Sequence, residues 1–304
     1  ENTVQYKKIT VRGYIIGKLS LLQYLCIKKF KQLLKIKKQN LKIMKTKLLL
    51  LITTFFLQFA NAQMDDKFYF PNKIINPISL PHEEFSLKVE QDSITGIFFK
   101  KENPKATLVF LHGAGGNVTY FQKMATPFLN ANYQVIMVDF RGYGKSSGTP
   151  THLNVAKDGQ QFFDYLKNRK EIKNTKIILY GQSLGTQIAT HLAKENSKDI
   201  SMLILDGAFT SFTDLACSYK PEAKDVIKKY LVSPYSAIED IKLVSVPKII
   251  IHSKEDKDIP YALGKELLEA ATEPKYFLEY SGAHINALII NPDVIINKVN
   301  ELLK

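Results

Sequence analysis

Apolar and polar positions in this chain fall into a regular alternation of short and long segments from about Phe85 to the C-terminus. Phe85-Ser86-Leu87-Lys88-Val89 switches between apolar and polar at every step, and Ile94 to Phe99 is rich in β-formers, so the two predict an antiparallel pair at a sheet edge. Continuous apolar runs of strand length follow: Thr107 to Leu111, Gln134 to Val138, Lys176 to Tyr180, Met202 to Leu205, Lys248 to Ile251 and Tyr276 to Leu278. A run without alternation suits a parallel strand buried on both faces. Helix-length segments lie between most of them: Val118 to Asn130, Val155 to Asn168, Leu184 to Glu195, Tyr261 to Ala271 and Pro292 to Leu303. The pattern predicts an α/β chain with a doubly wound, mostly parallel sheet and helices on both sides.

One connection is longer than the others. About forty residues separate Asp206 from Pro247, and they include Phe209-Thr210-Ser211-Phe212, Tyr219-Lys220-Pro221 and Val232-Ser233-Pro234-Tyr235. Open α/β sheets carry ligand-covering structure beyond their strand ends. The length of this insertion, about 207–246, therefore predicts a small lid rather than a ragged crossover helix.

The N-terminal part follows another design. Met44-Lys45-Thr46-Lys47 is positive, Leu48 to Ala60 is a 13-residue apolar run interrupted by Thr53, Thr54 and Gln58, and Ala60-Asn61-Ala62 precedes Gln63. A basic start, a short apolar core and an Ala-x-Ala site make a secretory signal peptide, and the run is short of the roughly 20 residues that span a bilayer. The expectation is an exported protein, periplasmic or secreted, with its signal peptide at 44–62, its folded domain at 63–304 and no stable membrane span. Residues 1–43 contain no Met and read as an upstream, non-native or disordered segment ahead of a start at Met44.

Charge narrows the choice of partner. Of the 42 basic residues behind the net charge of +13, 11 lie in residues 1–43 and two more are Lys45 and Lys47; the remaining 29 face 28 acidic residues from Gln63 onward. A near-neutral folded part has no compositional support for a phosphate-binding surface, so nucleic acid is not an expected partner. The two cysteines, Cys26 and Cys217, leave no pair within the folded part for a disulfide and no Cys-x-x-Cys metal site.

The chemistry concentrates at predicted strand ends. Gly181-Gln182-Ser183-Leu184-Gly185 follows a buried strand and opens a helix, which places Ser183 on a sharp turn with its Oγ above the sheet. The same helix aims its N-terminus at the site, so the Leu184 N–H faces a developing oxyanion. His112-Gly113-Ala114-Gly115-Gly116 follows another strand and brings a second amide, that of Ala114, to the same place. Neither Gly-x-Gly-x-x-Gly nor a Gly-Lys-Ser/Thr ending occurs in that loop, so a phosphate cradle is set aside. A serine nucleophile needs a base, and the base needs an orienting group. Among His82, His112, His152, His191, His252 and His284, only His284 follows the last strand and precedes the final helix; His112 reads as structural and His191 as a helix packing or surface residue. The loop Ser253 to Pro260 offers Glu255, Asp256 and Asp258, with Asp256 at the turn midpoint as first choice.

These residues resemble an α/β-hydrolase of the small-lid branch, near the serine aminopeptidase-like and depalmitoylase-like esterases. The resemblance runs from about Phe85 to the C-terminus and rests on His112 to Gly116, Asp139-Phe140-Arg141-Gly142-Tyr143-Gly144-Lys145-Ser146, the turn at Gly181 to Gly185, Asp256 to Pro260 and Gly282-Ala283-His284. It implies a triad in the chain order Ser183, Asp256, His284 and a purely structural role for Asp139 to Ser146. Ser253 departs from the pattern, since members often carry Gly after the histidine that precedes the acid loop.

The expected reaction is acyl transfer to water through an acyl-enzyme on Ser183, with no metal and no organic cofactor. Phe209, Phe212, Leu215, Tyr230 and Tyr235 in the insertion suggest an apolar acyl pocket and hence carboxylic esters of small molecules. The plainer reading is that these rings pack the lid on the sheet. Two rivals remain: a peptidase acting on short peptides, and a hydrolase-like fold that binds a partner without catalysis.

Overall fold

The computed structural model describes residues 64–304, which form one compact unit. The predicted signal peptide and the segment before it lie outside the described residues. The main strands are β1 (Glu83–Val89), β2 (Asp92–Phe99), β3 (Thr107–Leu111), β4 (Gln134–Asp139), β5 (Ile177–Gln182), β6 (Met202–Asp206), β7 (Lys248–Ser253) and β8 (Lys275–Tyr280). They form one sheet in the order β1-β2-β4-β3-β5-β6-β7-β8. The pairs β1/β2 and β2/β4 are antiparallel and all others are parallel. This is the doubly wound, mostly parallel sheet that the apolar runs predict.

Both faces of the sheet are covered. Alternate residues of one strand divide between two cores: Val109, Leu111, Ile177 and Leu179 face one way, while Leu108, Phe110, Ile178 and Tyr180 face the other. A side-chain period of two therefore persists inside runs that show no alternation in sequence, because each face has its own apolar partner. Helices α3 (His152–Lys167), α4 (Gly185–Glu195) and α8 (Tyr261–Ala270) supply the first core, with Phe162, Ile188 and Leu267 among its members. Phe128, Leu288 and Val299 join the second from α2 (Thr126–Asn130), α9 (Ala287–Ile290) and α10 (Pro292–Leu302).

The expected helix over Val118 to Asn130 is divided in the structure. α1 (Val118–Phe121) passes into a 3₁₀ turn at Gln122–Ala125 before α2 begins. Pro127, which lacks an N–H and sits in the first turn of α2, cannot continue a helix arriving from upstream. α3 starts three residues earlier than expected, since Thr151 and Asn154 exchange hydrogen bonds of 3.1 and 2.8 Å in a capping box. The long insertion is helical: α5 (Phe212–Tyr219), a turn at Pro221–Ala223, α6 (Lys224–Tyr230), α7 (Ala237–Asp240) and a turn at Ile241–Leu243.

The start of α4 depends on contact with β3 that only glycine permits. A Cβ on Gly185 would stand 2.1 Å from the Leu111 carbonyl oxygen and 2.7 Å from that of His112, backbone atoms at and just beyond the end of β3. Helix propensity alone would favour alanine here by about 1 kcal/mol. The contact reverses the sign: Gly185→Ala is expected to cost about 3 kcal/mol, lowering the melting temperature by about 6–10 °C. A thermal melt at or above the wild-type temperature would refute this account of the turn.

Candidate active site

Parallel pairing aligns the C-terminal ends of the central strands along one edge, with Leu111 opposite Gly181 and Gln182 opposite Asp206. Ser183 leaves β5 at this edge with φ +51°, a left-handed backbone that costs a non-glycine residue about 1–3 kcal/mol. Its surroundings hold it there. The Ser183 N–H donates to the Asp206 carbonyl (2.8 Å), and the N–H and hydroxyl of Thr186 both donate to the Ser183 carbonyl (2.9 and 2.5 Å). A Cβ on Gly181 would meet the Gly185 oxygen at 2.5 Å, and one on Gly113 would stand 3.3 Å from Ser183 Cβ. The glycines around Ser183 therefore let three backbone segments converge. Leu184, the residue before α4, keeps its N–H outside the helical ladder.

His284 and Asp256 come together from loops 28 residues apart. The His284 Nδ1–H donates to Asp256 Oδ2 at 2.6 Å, while Oδ1 accepts the N–H groups of Asp258 (2.9 Å) and Ile259 (2.8 Å). Burial works to raise the Asp256 pKa, but the hydrogen bond and charge of His284, with those two amides, bring it below the ordinary carboxylate value. Asp258 and Glu255, the other acids of this loop, contribute only backbone there. Asp258 N–H caps Asp256, and Glu255 N–H donates to Ser253 Oγ at 3.0 Å. His284 Nε2 is buried and has no hydrogen-bond partner among the described residues. The ring lies against Gly207, where a Cβ would be 2.5 Å from His284 Cε1. Ser183 and His284 thus each contact the two-residue segment Asp206–Gly207.

The loop after β3 is held as firmly. The Ala114 carbonyl accepts the Tyr143 hydroxyl (2.6 Å) and the Phe70 N–H (2.9 Å), within a two-residue parallel pairing of Phe70–Pro71 with Gly115–Gly116. His112 is fully buried and donates from Nδ1 to the Gly113 carbonyl at 2.7 Å; burial lowers its pKa to about 4, so it stays neutral and structural.

The remaining histidines lie elsewhere. His191 pairs with Asp240 at 2.8 Å and stacks on Tyr235; His82 bonds the Leu80 carbonyl. His152 sits buried at the start of α3, its ring 3.8 Å from that of Phe212, and accepts or donates at 3.1 Å with the Tyr69 hydroxyl. His252 stands behind the acid, with Nε2 on the Ile259 carbonyl (3.2 Å) and 3.5 Å from Asp256 Oδ2. Of the proposed pocket residues, Phe209, Phe212, Leu215 and Tyr235 are buried in the first core, and Tyr230 is 68% exposed on α6. In this conformation the four buried rings and side chains pack the insertion onto the sheet. Gln187 of α4 fixes the roots of that insertion, donating to the Phe209 carbonyl (2.5 Å) and accepting the Ala237 N–H (3.0 Å). Nothing in the sequence around Gln187 marks that role, since both its partners are distant backbone atoms.

Comparison with known proteins places this geometry. The model of the α/β-hydrolase fold family matches residues 106–232. YfhR of Escherichia coli K12 is 30% identical over 231 residues, which cover 73% of this chain and 78% of YfhR. The chain belongs to the α/β-hydrolase family. Protein bem46 of Schizosaccharomyces pombe is 31% identical over 175 residues, 57% of this chain and 58% of that protein. In fold, this α/β-hydrolase resembles the esterase Pf2001 of Pyrococcus furiosus, with a TM-score of 0.64, 18% identity, and coverage of 77% of this chain and 98% of that one.

A second carboxylate, which sequence reading did not single out, lies beneath the site of this α/β-hydrolase. Asp206, fully buried at the end of β6, accepts the Tyr180 hydroxyl (3.0 Å) and the Gln182 amide (3.1 Å) on Oδ2. Burial raises its pKa from 3.8 to about 6, against the pull of Gln182, Tyr180 and the His284 charge. A folded-state pKa above the unfolded one gives stability that is complete below pH 3.8 and lost as pH rises through about 6. Asp206→Asn keeps an acceptor for Tyr180 and Gln182 and never ionises. Its stability relative to wild type should rise by about 2 kcal/mol between pH 4 and pH 7 and then stay level. Denaturant midpoints across that range check this, and a pH-independent difference would contradict it.

Proposed function

We propose that this α/β-hydrolase cleaves carboxylic esters through an acyl-enzyme on Ser183. The observation that carries the reading is the state of His284: Nδ1 is engaged by Asp256, Nε2 is buried with no partner among the described residues, and the ring lies against Gly207, next to the Asp206 carbonyl that takes the Ser183 N–H. A proton on Nδ1 leaves Nε2 as the acceptor. Ser183 Oγ gives its proton to Nε2 as it bonds to the ester carbonyl carbon, and the carbonyl electron pair moves onto oxygen. The N–H groups of Ala114 and Leu184 donate to that oxyanion; one such donor is worth about 10²–10³ in rate. The intermediate collapses, the C–O bond to the alcohol breaks, and His284 returns the proton to the departing alkoxide. Water then gives a proton to Nε2 as it bonds to the acyl carbon; the second intermediate collapses, the bond from that carbon to Ser183 Oγ breaks, Oγ takes the proton back from Nε2 and the carboxylic acid leaves. Asp256 remains ionised throughout and offsets the imidazolium charge. Side chains and backbone amides supply every step. Support for esters comes from fold neighbours that include an esterase.

Ser183→Ala is expected to lower p-nitrophenyl ester hydrolysis about 10⁴-fold or more with an unchanged melting temperature, and His284→Ala to lower it as far with a reduced melting temperature, since it strips the buried Asp256 of its imidazole partner. A fluorophosphonate probe should label wild type at Ser183. Folded protein that resists labelling and keeps its activity after Ser183→Ala would overturn the nucleophile. Rates on aminoacyl anilides well above those on esters would replace the ester reading with a peptidase.

The Met44 to Ala62 pattern supports placing this hydrolase outside the cytoplasm. Protein recovered from its native host should begin at Gln63 by N-terminal sequencing; a start before Met44 would overturn export by this signal.

A further inference from the structure

The strap formed by residues 64–71 meets the loop after β3 through the Phe70 N–H, which reaches a backbone carbonyl of that loop. Phe70 N–H reaches both the Ala114 carbonyl and the Tyr143 hydroxyl at 2.9 Å, and that hydroxyl donates to the same carbonyl at 2.6 Å. The phenol has one proton to give and an oxygen that accepts, and both capacities are used within this triangle. Tyr143 is fully buried, and burial holds its phenol well above its ordinary pKa, so it stays a donor across the working pH range.

The loop that carries Tyr143 has little freedom to shift. Arg141 makes a bidentate pair with Asp158 (2.6 and 2.8 Å) and a further bond to Asp92 (2.8 Å). Ser146 Oγ donates to the Asp139 carbonyl (2.9 Å), and the Gly144 N–H donates to Asn72 (2.9 Å). Gly144 has φ +49°, and a Cβ there would overlap Asp139 Oδ2 at 2.1 Å, so the turn beside Tyr143 closes only on glycine. A rigid loop with its one phenol on the Ala114 carbonyl fixes the plane of the following peptide, and through Ala114 the direction of the amide before it. The strap is tied down as well: Asp65 accepts the His152 N–H at 2.6 Å, and the Phe68 ring meets Phe212 edge-on at 5.1 Å.

We propose that Tyr143 and the Phe70 N–H are positioning groups for the oxyanion hole, orienting the Ala114 amide through its carbonyl. This rests on the reading of Ser183 and Ala114 given above. The effect is geometric and not inductive, because the carbonyl they hold belongs to the peptide after Ala114 and conjugates with the Gly115 N–H. Neither group touches substrate. Their loss therefore weakens transition-state binding and leaves ground-state binding alone, which separates kcat from KM.

The test uses ester kinetics and the affinity of an alkylboronic acid, whose tetrahedral adduct on serine places an oxygen in the oxyanion hole. Tyr143→Phe should lower kcat about 10- to 100-fold and weaken boronate binding in step, with KM within twofold of wild type and an unchanged pH profile. Should Tyr143→Phe fail to fold, a second pair decides. Phe70→Pro removes the N–H at the first residue of an edge strand, where proline is tolerated, and should show the same split. Phe70→Ala retains the N–H, gives up a ring that is 48% exposed, and should restore kcat. Wild-type kcat in both Tyr143→Phe and Phe70→Pro, or a fall in kcat without weaker boronate binding, overturns the proposal. Wild-type protein that a fluorophosphonate does not label at Ser183 overturns the underlying nucleophile first, so the two failures are distinguishable.

Discussion

The backbone at Ser183 is the constraint on which the rest of the site depends. A serine at φ +51° does not stay there by preference, and the cost is met by packing that allows no alternative. Gly181 and Gly185 let β5, α4 and the end of β3 approach to distances a Cβ would forbid, and the Asp206 carbonyl takes the Ser183 N–H. Any relaxation of that residue would have to separate two strands of the central sheet from the helix packed on them. The turn is therefore rigid because the packing around it resists its release, and the Ser183 Cα–Cβ bond inherits a fixed direction. The same close packing brings Gly113, the residue before Ala114, against Ser183.

Around this fixed point the ionisable groups are sorted by environment. Asp256 and Asp206 both lie at the carboxyl edge of the sheet and within reach of the His284 charge, yet they shift in opposite directions. Asp256 receives two amides and an imidazole N–H, enough to outweigh burial. Asp206 receives a phenol and a carboxamide on one oxygen, Oδ1 has no partner among the described residues, and burial prevails. Asp139 follows the same rule, since burial lifts it to about 7 against a single amide from Val118 and the charge of Lys73. The number of donors on each carboxylate, and not its position along the edge, decides which acid is ready to face an imidazolium.

Much of this was legible in the sequence, for reasons that are local. Unbroken apolar runs gave the strands, and the close spacing of Gly181, Ser183 and Gly185 after one of them gave the turn, because both signals need only a few neighbouring residues. His284 was reachable by elimination, since only that histidine follows the last strand. The parts that stayed hidden are contacts between residues far apart. Gln187 is an ordinary helix position until its backbone partners at Phe209 and Ala237 are known. Phe70–Pro71 is too short for any periodicity to reveal, and Tyr143 belongs to a stretch that the family resemblance marked as structural only. The helix expected over Val118 to Asn130 is divided because Pro127 lacks the N–H that would continue it, a break that the apolar spacing around it does not register.

The insertion divides along the same line between fixed and free. Its roots are clamped by Gln187 and by the bond from Ile238 N–H to the Thr210 carbonyl (3.0 Å), and α5 buries Phe212, Leu215 and Cys217. The far end of α5 reaches the acid loop through the Tyr219 hydroxyl on the Asp258 carbonyl. Between these anchors α6 has no buried residue, and Val226, Tyr230 and Val232 stand exposed. Displacing α5 would expose a large apolar area, whereas displacing α6 would expose almost none, so α6 occupies the low-stability end of the insertion. Side chains whose burial holds the insertion in place cannot also vary freely to suit a substrate. Substitutions are then tolerated more easily at α6 and its flanks than at Phe209, Phe212 or Tyr235, whose first duty is to the core.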